Sequence, residues 1–254
     1  MRLVRFQSSD GPTYGIVEDD AVFAVHGDVF GAFTTGARLA SLDDVQVLPP
    51  CQPSKIIAVG RNYMELAKQM QTDVPDEPLI FMKPPSSVIA HLEPIVYPAI
   101  SQRVDHEGEL AVVIGKTCRH VDASQARSYV LGFTCANDVT ARDVQRRDGQ
   151  WTRGKGFDTF LPIGPFIRTD LDVASATLQT RLNGQVRQNG AVSQMVFSVD
   201  FLISYISRVM TLLPGDVLLT GTPAGTGPMQ PGDVVEVAIS GIGVLRNHVV
   251  AAKH

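Results

Sequence analysis

Glu107 and Glu109 stand two residues apart in Asp105-His106-Glu107-Gly108-Glu109-Leu110-Ala111-Val112-Val113-Ile114, at the head of a run built like a β-strand. Residues i and i+2 of a strand point to the same face, so the two carboxylates are predicted side by side. The apolar run that follows implies burial. Like charges held together raise one carboxyl's pKa or require a cation between them. A third acid, Asp138, lies in Cys135-Ala136-Asn137-Asp138-Val139-Thr140-Ala141-Arg142-Asp143, after another strand-like run, Tyr129-Val130-Leu131-Gly132-Phe133-Thr134. Three converging carboxylates with no Cys or His in register describe a site for a hard cation, Mg²⁺, Mn²⁺ or Ca²⁺. The plain alternative is a solvated Glu-x-Glu pair on a half-exposed strand. In a regular strand His106 points to the opposite face, which leaves it a packing or supporting role.

Further polar residues gather around this segment. If Asp138 to about Arg147 is a helix, Asp138, Arg142 and Gln145 share one face at i, i+4 and i+7. Asp138 then sits in the first turn, where the helix dipole favours a carboxylate. That face offers an acid for a metal, a guanidinium for a substrate carboxylate and an amide for orientation; a surface Asp–Arg pair is the ordinary alternative. Lys155, between glycines in Arg153-Gly154-Lys155-Gly156-Phe157-Asp158, can approach a ligand closely. Thr220-Gly221-Thr222-Pro223-Ala224-Gly225-Thr226-Gly227 offers backbone N–H groups and hydroxyls to an anion, but lacks the spacing of a P-loop or dinucleotide fingerprint. Gly60-Arg61-Asn62-Tyr63 is another polar strand end, where loop residues often bind ligands. There is no G-x-S-x-G elbow and no zinc-type His cluster.

The elements that must hold these groups are mostly strands. At 254 residues the chain suits one large domain, or one domain with a small appendage. Residues 1–50 read as a small N-terminal β unit, with strands over 2–7, 14–18 and 21–25, and a Pro-rich stretch (Leu48-Pro49-Pro50-Cys51-Gln52-Pro53) closes it. Residues 51–254 form the main domain, opening on the buried strand Lys55-Ile56-Ile57-Ala58-Val59-Gly60. Helical periodicity is confined to 62–71 and, most strongly, 197–211. The latter has Ser198 or Asp200 as N-cap and an apolar stripe of Phe201, Leu202, Tyr205, Ile206, Val209 and Met210. Strands over 216–220, 233–239 and 243–250 complete a β-rich α+β class.

Composition narrows the function. Hydrophobic content of 44% and charged content of 19% are ordinary for a globular protein. A net charge of −4 and a pI near 5.8 argue against nucleic-acid binding, and the densest basic spot, Arg146-Arg147, runs straight into Asp148. Cys51, Cys118 and Cys135 form no C-x-x-C and suit buried thiols in a reducing compartment. The N-terminus lacks a signal-peptide core, and no apolar stretch approaches the roughly 18 residues of a membrane span. A cytoplasmic location is the expectation.

Taken together, the segments resemble the fumarylacetoacetate hydrolase family. The matching blocks are Val59-Gly60-Arg61-Asn62-Tyr63, Phe81-Met82-Lys83-Pro84, Glu107-Gly108-Glu109-Leu110, Asn137-Asp138-Val139-Thr140-Ala141-Arg142-Asp143, Lys155-Gly156-Phe157-Asp158-Thr159-Phe160, Leu219-Thr220-Gly221-Thr222-Pro223 and Gly241-Ile242-Gly243-Val244-Leu245-Arg246-Asn247, in family order over about residues 55–250. The resemblance implies a mixed β-sandwich roll, a homodimer, and a divalent ion, Mg²⁺ or Mn²⁺, on Glu107, Glu109 and Asp138. It implies that Arg142, Gln145, Lys155 and Thr222 face the substrate, with Arg61 and Tyr63 from the matching Gly-Arg-Asn-Tyr block beside them. Lys155 is the best proton shuttle, its pKa expected to be lowered by burial.

Family substrates are small 2-oxo acids and their enols, and the reactions include acylpyruvate hydrolysis, decarboxylation and isomerisation or tautomerisation. One departure bears on the reaction. Many hydrolytic members carry His-x-x-Glu after the Gly-x-Asn-Tyr block; here Leu66 and Gln69 occupy those positions. Leu accepts no proton and Gln does not titrate usefully. Glu65 would point elsewhere on a helix, and His91 is a substitute only if it reaches the site. Isomerisation or decarboxylation is therefore expected ahead of C–C hydrolysis, with a non-catalytic metabolite-binding protein as the further alternative.

Overall fold

The computed structural model describes residues 1–252. The strands form three sheets. The main path of the twelve-stranded sheet runs Phe33–Ser41, Ala21–Gly27, Gly11–Glu18, Arg2–Ser8, Leu161–Arg168, Val130–Asn137, Gly108–Ile114, Val217–Leu219, Ile56–Gly60 and Leu79–Lys83. The N-terminal strands join it where Arg2 and Leu3 pair antiparallel with Arg168 and Ile167. Strand Phe33–Ser41 escapes a pattern reading because neither of its faces is buried. A five-stranded sheet (Gln185–Ala191, Thr177–Leu182, Val234–Ile239, Gly243–Ala251, Pro94–Tyr97) packs on the large one, and a three-stranded sheet joins Thr140–Ala141, Val104–His106 and Gly227–Met229.

Strand Gly108–Ile114 is buried on both faces. Leu110, Val112 and Ile114 enter a core with Phe133, Leu202, Ile203, Ile206, Val237 and Leu245. Ala111 and Val113 enter a second core with Ile56, Leu161, Ile163 and Leu219. Two-sided burial is why this strand reads as a continuous apolar run rather than an alternating one.

Helix Val199–Val209 covers the first core. Ser198, rather than Asp200, caps it by accepting the Phe201 N–H at 3.3 Å. Val199, Leu202, Ile203 and Ile206 are its buried apolar side chains, with Ser204 and Ser207 also buried. Phe201 is 43% exposed and stacks between Phe197 and Tyr205, so it lies outside the apolar stripe expected of it.

The expected helix from Asp138 to Arg147 is corrected. Thr140–Ala141 is a strand paired with Val104 and Asp105, and the helix spans only Arg142–Asp148, ending at the left-handed Gly149. Asp138 therefore sits in a turn, its N–H donated to the Glu107 carbonyl at 2.8 Å, and owes nothing to a helix dipole. Among the described residues no helix is long and apolar enough to cross a membrane.

Phe133 is fully buried between the sheets, with the Arg127 guanidinium 4.2 Å from its ring centroid. Phe133→Ala is expected to lower the unfolding free energy by about 3–5 kcal/mol, read by urea denaturation.

Candidate metal centre and active site

Four neighbouring strands of the large sheet end on one side. Asn137, the last residue of its strand, pairs with Gly108, the first of the next. Leu219 lies opposite Ala111 and beside Ala58. The register thus delivers Asp138, Glu109, the Thr220–Thr222 turn and Arg61 to one edge. Glu107 is not in a continuous strand with Glu109, as expected, but at the break between Val104–His106 and Gly108–Ile114. Its N–H donates to Asn137 Oδ1 at 2.9 Å, which ties the break to the Asp138 turn.

The three acids converge. Glu107, Glu109 and Asp138 are buried, and one oxygen from each lies within 4.8 Å of the others. Around them lie three buried cations. Lys155 Nζ donates to Glu107 Oε2 at 2.7 Å and Asp138 Oδ2 at 2.5 Å. Lys83 Nζ donates to Asp138 Oδ1 at 2.7 Å and to the Lys155 carbonyl at 2.5 Å. Arg142 donates to Glu107, to Asp105 Oδ2 at 3.0 Å and to Gln145 Oε1 at 2.8 Å. Three donors of its guanidinium are committed to the protein, so Arg142 acts first as a brace for Glu107 and Gln145.

Charge balance separates the acids. Burial pushes Glu107 upward, but Lys155 and Arg142 outweigh it and hold its carboxyl at about 2. Glu109 goes the other way: burial, then the charges of Asp138 and Glu107, raise it well above 4.5. Among the described residues Glu109 accepts only the Gly221 N–H, at 2.7 Å. Lys155 reverses its expectation. Burial favours the neutral amine, yet Asp138 and Glu107 overcome it and its pKa is raised. Lys83, where burial dominates, is lowered. Both lysines follow one rule, desolvation set against neighbouring carboxylates.

A cavity of about 250 Å³ opens over the acids. Glu107, Glu109, Asp138, Arg142, Gln145, Lys155 and Thr222 form its polar wall, and Val59, Leu66, Met70, Phe81 and Trp151 its apolar wall, with Arg61 and Arg146 also facing it. Arg61 holds a left-handed backbone (φ 58°), which costs a non-glycine residue of order 1 kcal/mol and marks a constrained loop. Asn62 fixes that loop, donating to the Phe197 and Thr220 carbonyls and accepting the Phe197 N–H.

Tyr63 does not reach the cavity. It is 2% exposed, and its hydroxyl has no hydrogen-bond partner among the described residues. Burial and the nearby Glu109 charge raise its pKa. Leu66 takes a place in the apolar wall, while Gln69 Oε1 accepts the Gly225 N–H at 2.8 Å and Glu65 is exposed. His91 lies elsewhere and accepts the Arg246 N–H at 3.0 Å, so it replaces nothing here. Trp151, Lys83 and Asp105 are parts of the site that the sequence reading misses. Trp151 packs where an added Cβ at Gly60 would lie 2.5 Å from its ring, so the glycine of the Val59–Tyr63 block makes room for it.

The donor set fits a divalent ion. It is all carboxylate oxygen, and among the described residues Glu109 is a buried carboxyl with no ion-pair partner, so a shared cation would balance it.

Comparison with known proteins agrees with this geometry. Residues 55–250 match the family described as fumarylacetoacetate (FAA) hydrolase C-terminal, and residues 1–50 match Rv2993c-like, N-terminal. The chain is 45% identical over 214 residues to human mitochondrial oxaloacetate tautomerase FAHD2A (80% of this chain, 68% of the relative). It is 45% identical over 195 residues to the mitochondrial oxaloacetate decarboxylase of Dictyostelium discoideum (74% and 89%). The crystal structure of 2-hydroxyhepta-2,4-diene-1,7-dioate isomerase from Mycobacterium marinum superposes with a TM-score of 0.93 at 44% identity, covering all of both chains.

The raised Glu109 carboxyl gives a signed expectation. Its folded-state pKa exceeds the unfolded value near 4.5, so the native state keeps a proton that the unfolded chain has released. In chelator, its contribution to stability is full below that value and is lost as pH rises through the folded pKa. Glu109→Gln should remove this slope in chelator melts and weaken Mn²⁺ binding at least tenfold by calorimetry.

Proposed function

The chain belongs to the fumarylacetoacetate hydrolase family, and from that premise we propose that it is a Mg²⁺- or Mn²⁺-dependent enzyme interconverting enol and keto forms of a small 2-oxo dicarboxylic acid. The observation that carries this reading is the make-up of the cavity wall. Leu66 is 5% exposed and apolar where a water-activating imidazole would stand, and Gln69 is tied to the Gly225 backbone. Hydrolysis needs an activated water; tautomerisation needs one group that moves a proton. The human and Mycobacterium marinum relatives, named as a tautomerase and an isomerase, support the same reaction class.

Glu107, Glu109 and Asp138 would hold a divalent ion, which would supply Lewis-acid polarisation of the 2-oxo carboxylate end. The chain's own residues do the rest. Lys155 Nζ holds the transferable proton, and burial alone favours its neutral amine; only its two carboxylate neighbours hold it charged. With Glu107 and Asp138 shared by a cation, Lys155 would be held less firmly in its charged form and could exchange its proton. Phe81, whose ring centroid lies 5.2 Å from Lys155 Nζ, keeps water from the amine together with Trp151, 5.1 Å from it ring to ring. Gln145 is oriented by Arg142, and Arg61 faces the cavity with no ion pair among the described residues, a guanidinium open to the distal carboxylate.

Decarboxylation of a β-keto acid is the second reading. It needs an electron sink and no water-activating base, and the Dictyostelium relative is named for it. Mn²⁺-loaded protein should be assayed on oxaloacetate for enol–keto exchange and for pyruvate release, and in parallel on acetylpyruvate. Faster exchange than pyruvate release supports the tautomerase; efficient acetylpyruvate cleavage would overturn both readings. Lys155→Met is expected to lower the exchange rate by about 10²–10⁴ while leaving Mn²⁺ affinity unchanged or raised, since it removes a competing cation.

A further inference from the structure

Strand Gln185–Ala191 edges the five-stranded sheet, and Gln188 is its one buried residue. We infer that Gln188 is a positioning residue of the site, and that it fixes the Thr222 hydroxyl as a hydrogen-bond acceptor toward the ligand.

The amide makes four hydrogen bonds. Oε1 accepts the Gly108 N–H at 2.9 Å and lies 3.2 Å from His106 Nδ1. Nε2 donates to the Pro223 carbonyl at 2.8 Å and to Thr222 Oγ1 at 2.7 Å. Two of these partners are backbone groups of fixed polarity, a donor at Gly108 and an acceptor at Pro223, so the amide has one allowed orientation. His106 must then carry its proton on Nδ1. Thr222 must accept from Gln188, and its own O–H donates to the Gly108 carbonyl at 2.6 Å. With its single proton committed, the Thr222 oxygen has only a lone pair to offer the cavity it lines.

The same bonds brace the carboxylates. Gly108 separates Glu107 from Glu109, and its N–H and carbonyl are held by Gln188 and Thr222. A Cβ on Gly108 would lie 2.1 Å from Thr180 Oγ1, so only glycine lets this backbone press against the five-stranded sheet where Gln188 can reach it.

A lone pair at Thr222 favours a ligand that donates a hydroxyl there, an enol or a 2-hydroxy acid, over a ketone oxygen that only accepts. A buried acceptor facing another acceptor leaves both unpaired. This assignment rests on the reading that the cavity takes a 2-oxo or enol acid.

The test titrates Mn²⁺-loaded protein calorimetrically with lactate and with pyruvate, a hydroxyl and an oxo acid of equal length. The wild-type chain is expected to bind lactate at least fivefold more tightly than pyruvate. Gln188→Met should erase that preference with Mn²⁺ affinity changed less than threefold. Thr222→Val should erase it too, the double variant should lose no more than either single one, and Thr222→Ser should restore it. Thr222→Val, close to isosteric, decides the matter should Gln188→Met fail to fold. Equal binding of both acids by the wild type, a preference that survives either substitution, or additive losses in the double variant would overturn the assignment. A chain that discriminates lactate from pyruvate but turns over no oxaloacetate sinks the catalytic reading alone.

Discussion

The structure depends on keeping three carboxylates together out of water. Each pair within 4.8 Å repels by about 3.5 kcal/mol or more at an effective dielectric of 20. With all three ionised, three such pairs would amount to roughly 10 kcal/mol, comparable with the whole stability of a domain, and the raised pKa of Glu109 relieves part of that repulsion. The arrangement survives because Lys83, Lys155 and Arg142 are buried against it, and because backbone N–H groups such as that of Gly221 add their dipoles. Removing one of these cations leaves an uncompensated buried charge, so the cluster behaves as a unit. Among the described residues Glu109 is the member without an ion-pair partner, and it lines the cavity beside the other two acids.

That electrostatic demand explains the scaffold. The three carboxylates need a rigid frame that holds Glu107 and Asp138 within hydrogen-bond reach of the three cations and Glu109 beside them. Four adjacent strands ending at one edge supply it, anchored by two apolar cores on opposite faces. The register Gly108–Asn137 matters most, since a one-residue slip would turn Glu109 to the opposite face.

Much of this was legible in the sequence because it lies in local patterns. Glu107-Gly108-Glu109 before an apolar run announces a buried acidic pair, and Leu202 and Ile206 announce a packed helix. The parts that were not legible come from tertiary contact. Asp105, Lys83 and Gln188 look like ordinary polar residues until distant segments reach them. Asp138 read as a helix start because Arg142 and Gln145 follow at helical spacing; pairing of Thr140 with Asp105 delays the helix by four residues. Tyr63 read as a ligand residue from its polar loop, yet the Asn62 bonds turn that loop inward.

The wall and the floor of the cavity therefore answer to different constraints. The floor is fixed by charge: a change at Glu107, Asp138 or Lys155 strands a partner in a buried site. Leu66 sits on helix Met64–Gln69, six residues long and without a side-chain cap at its N-terminus. A helix so short draws its stability from contacts rather than propensity, and little else depends on its sequence. Substitutions at Leu66 would alter the cavity wall without touching the three carboxylates. The wall can therefore vary in sequence where the floor cannot. In this chain that helix places the apolar Leu66 in the wall of the cavity that Lys155 and the three carboxylates also line.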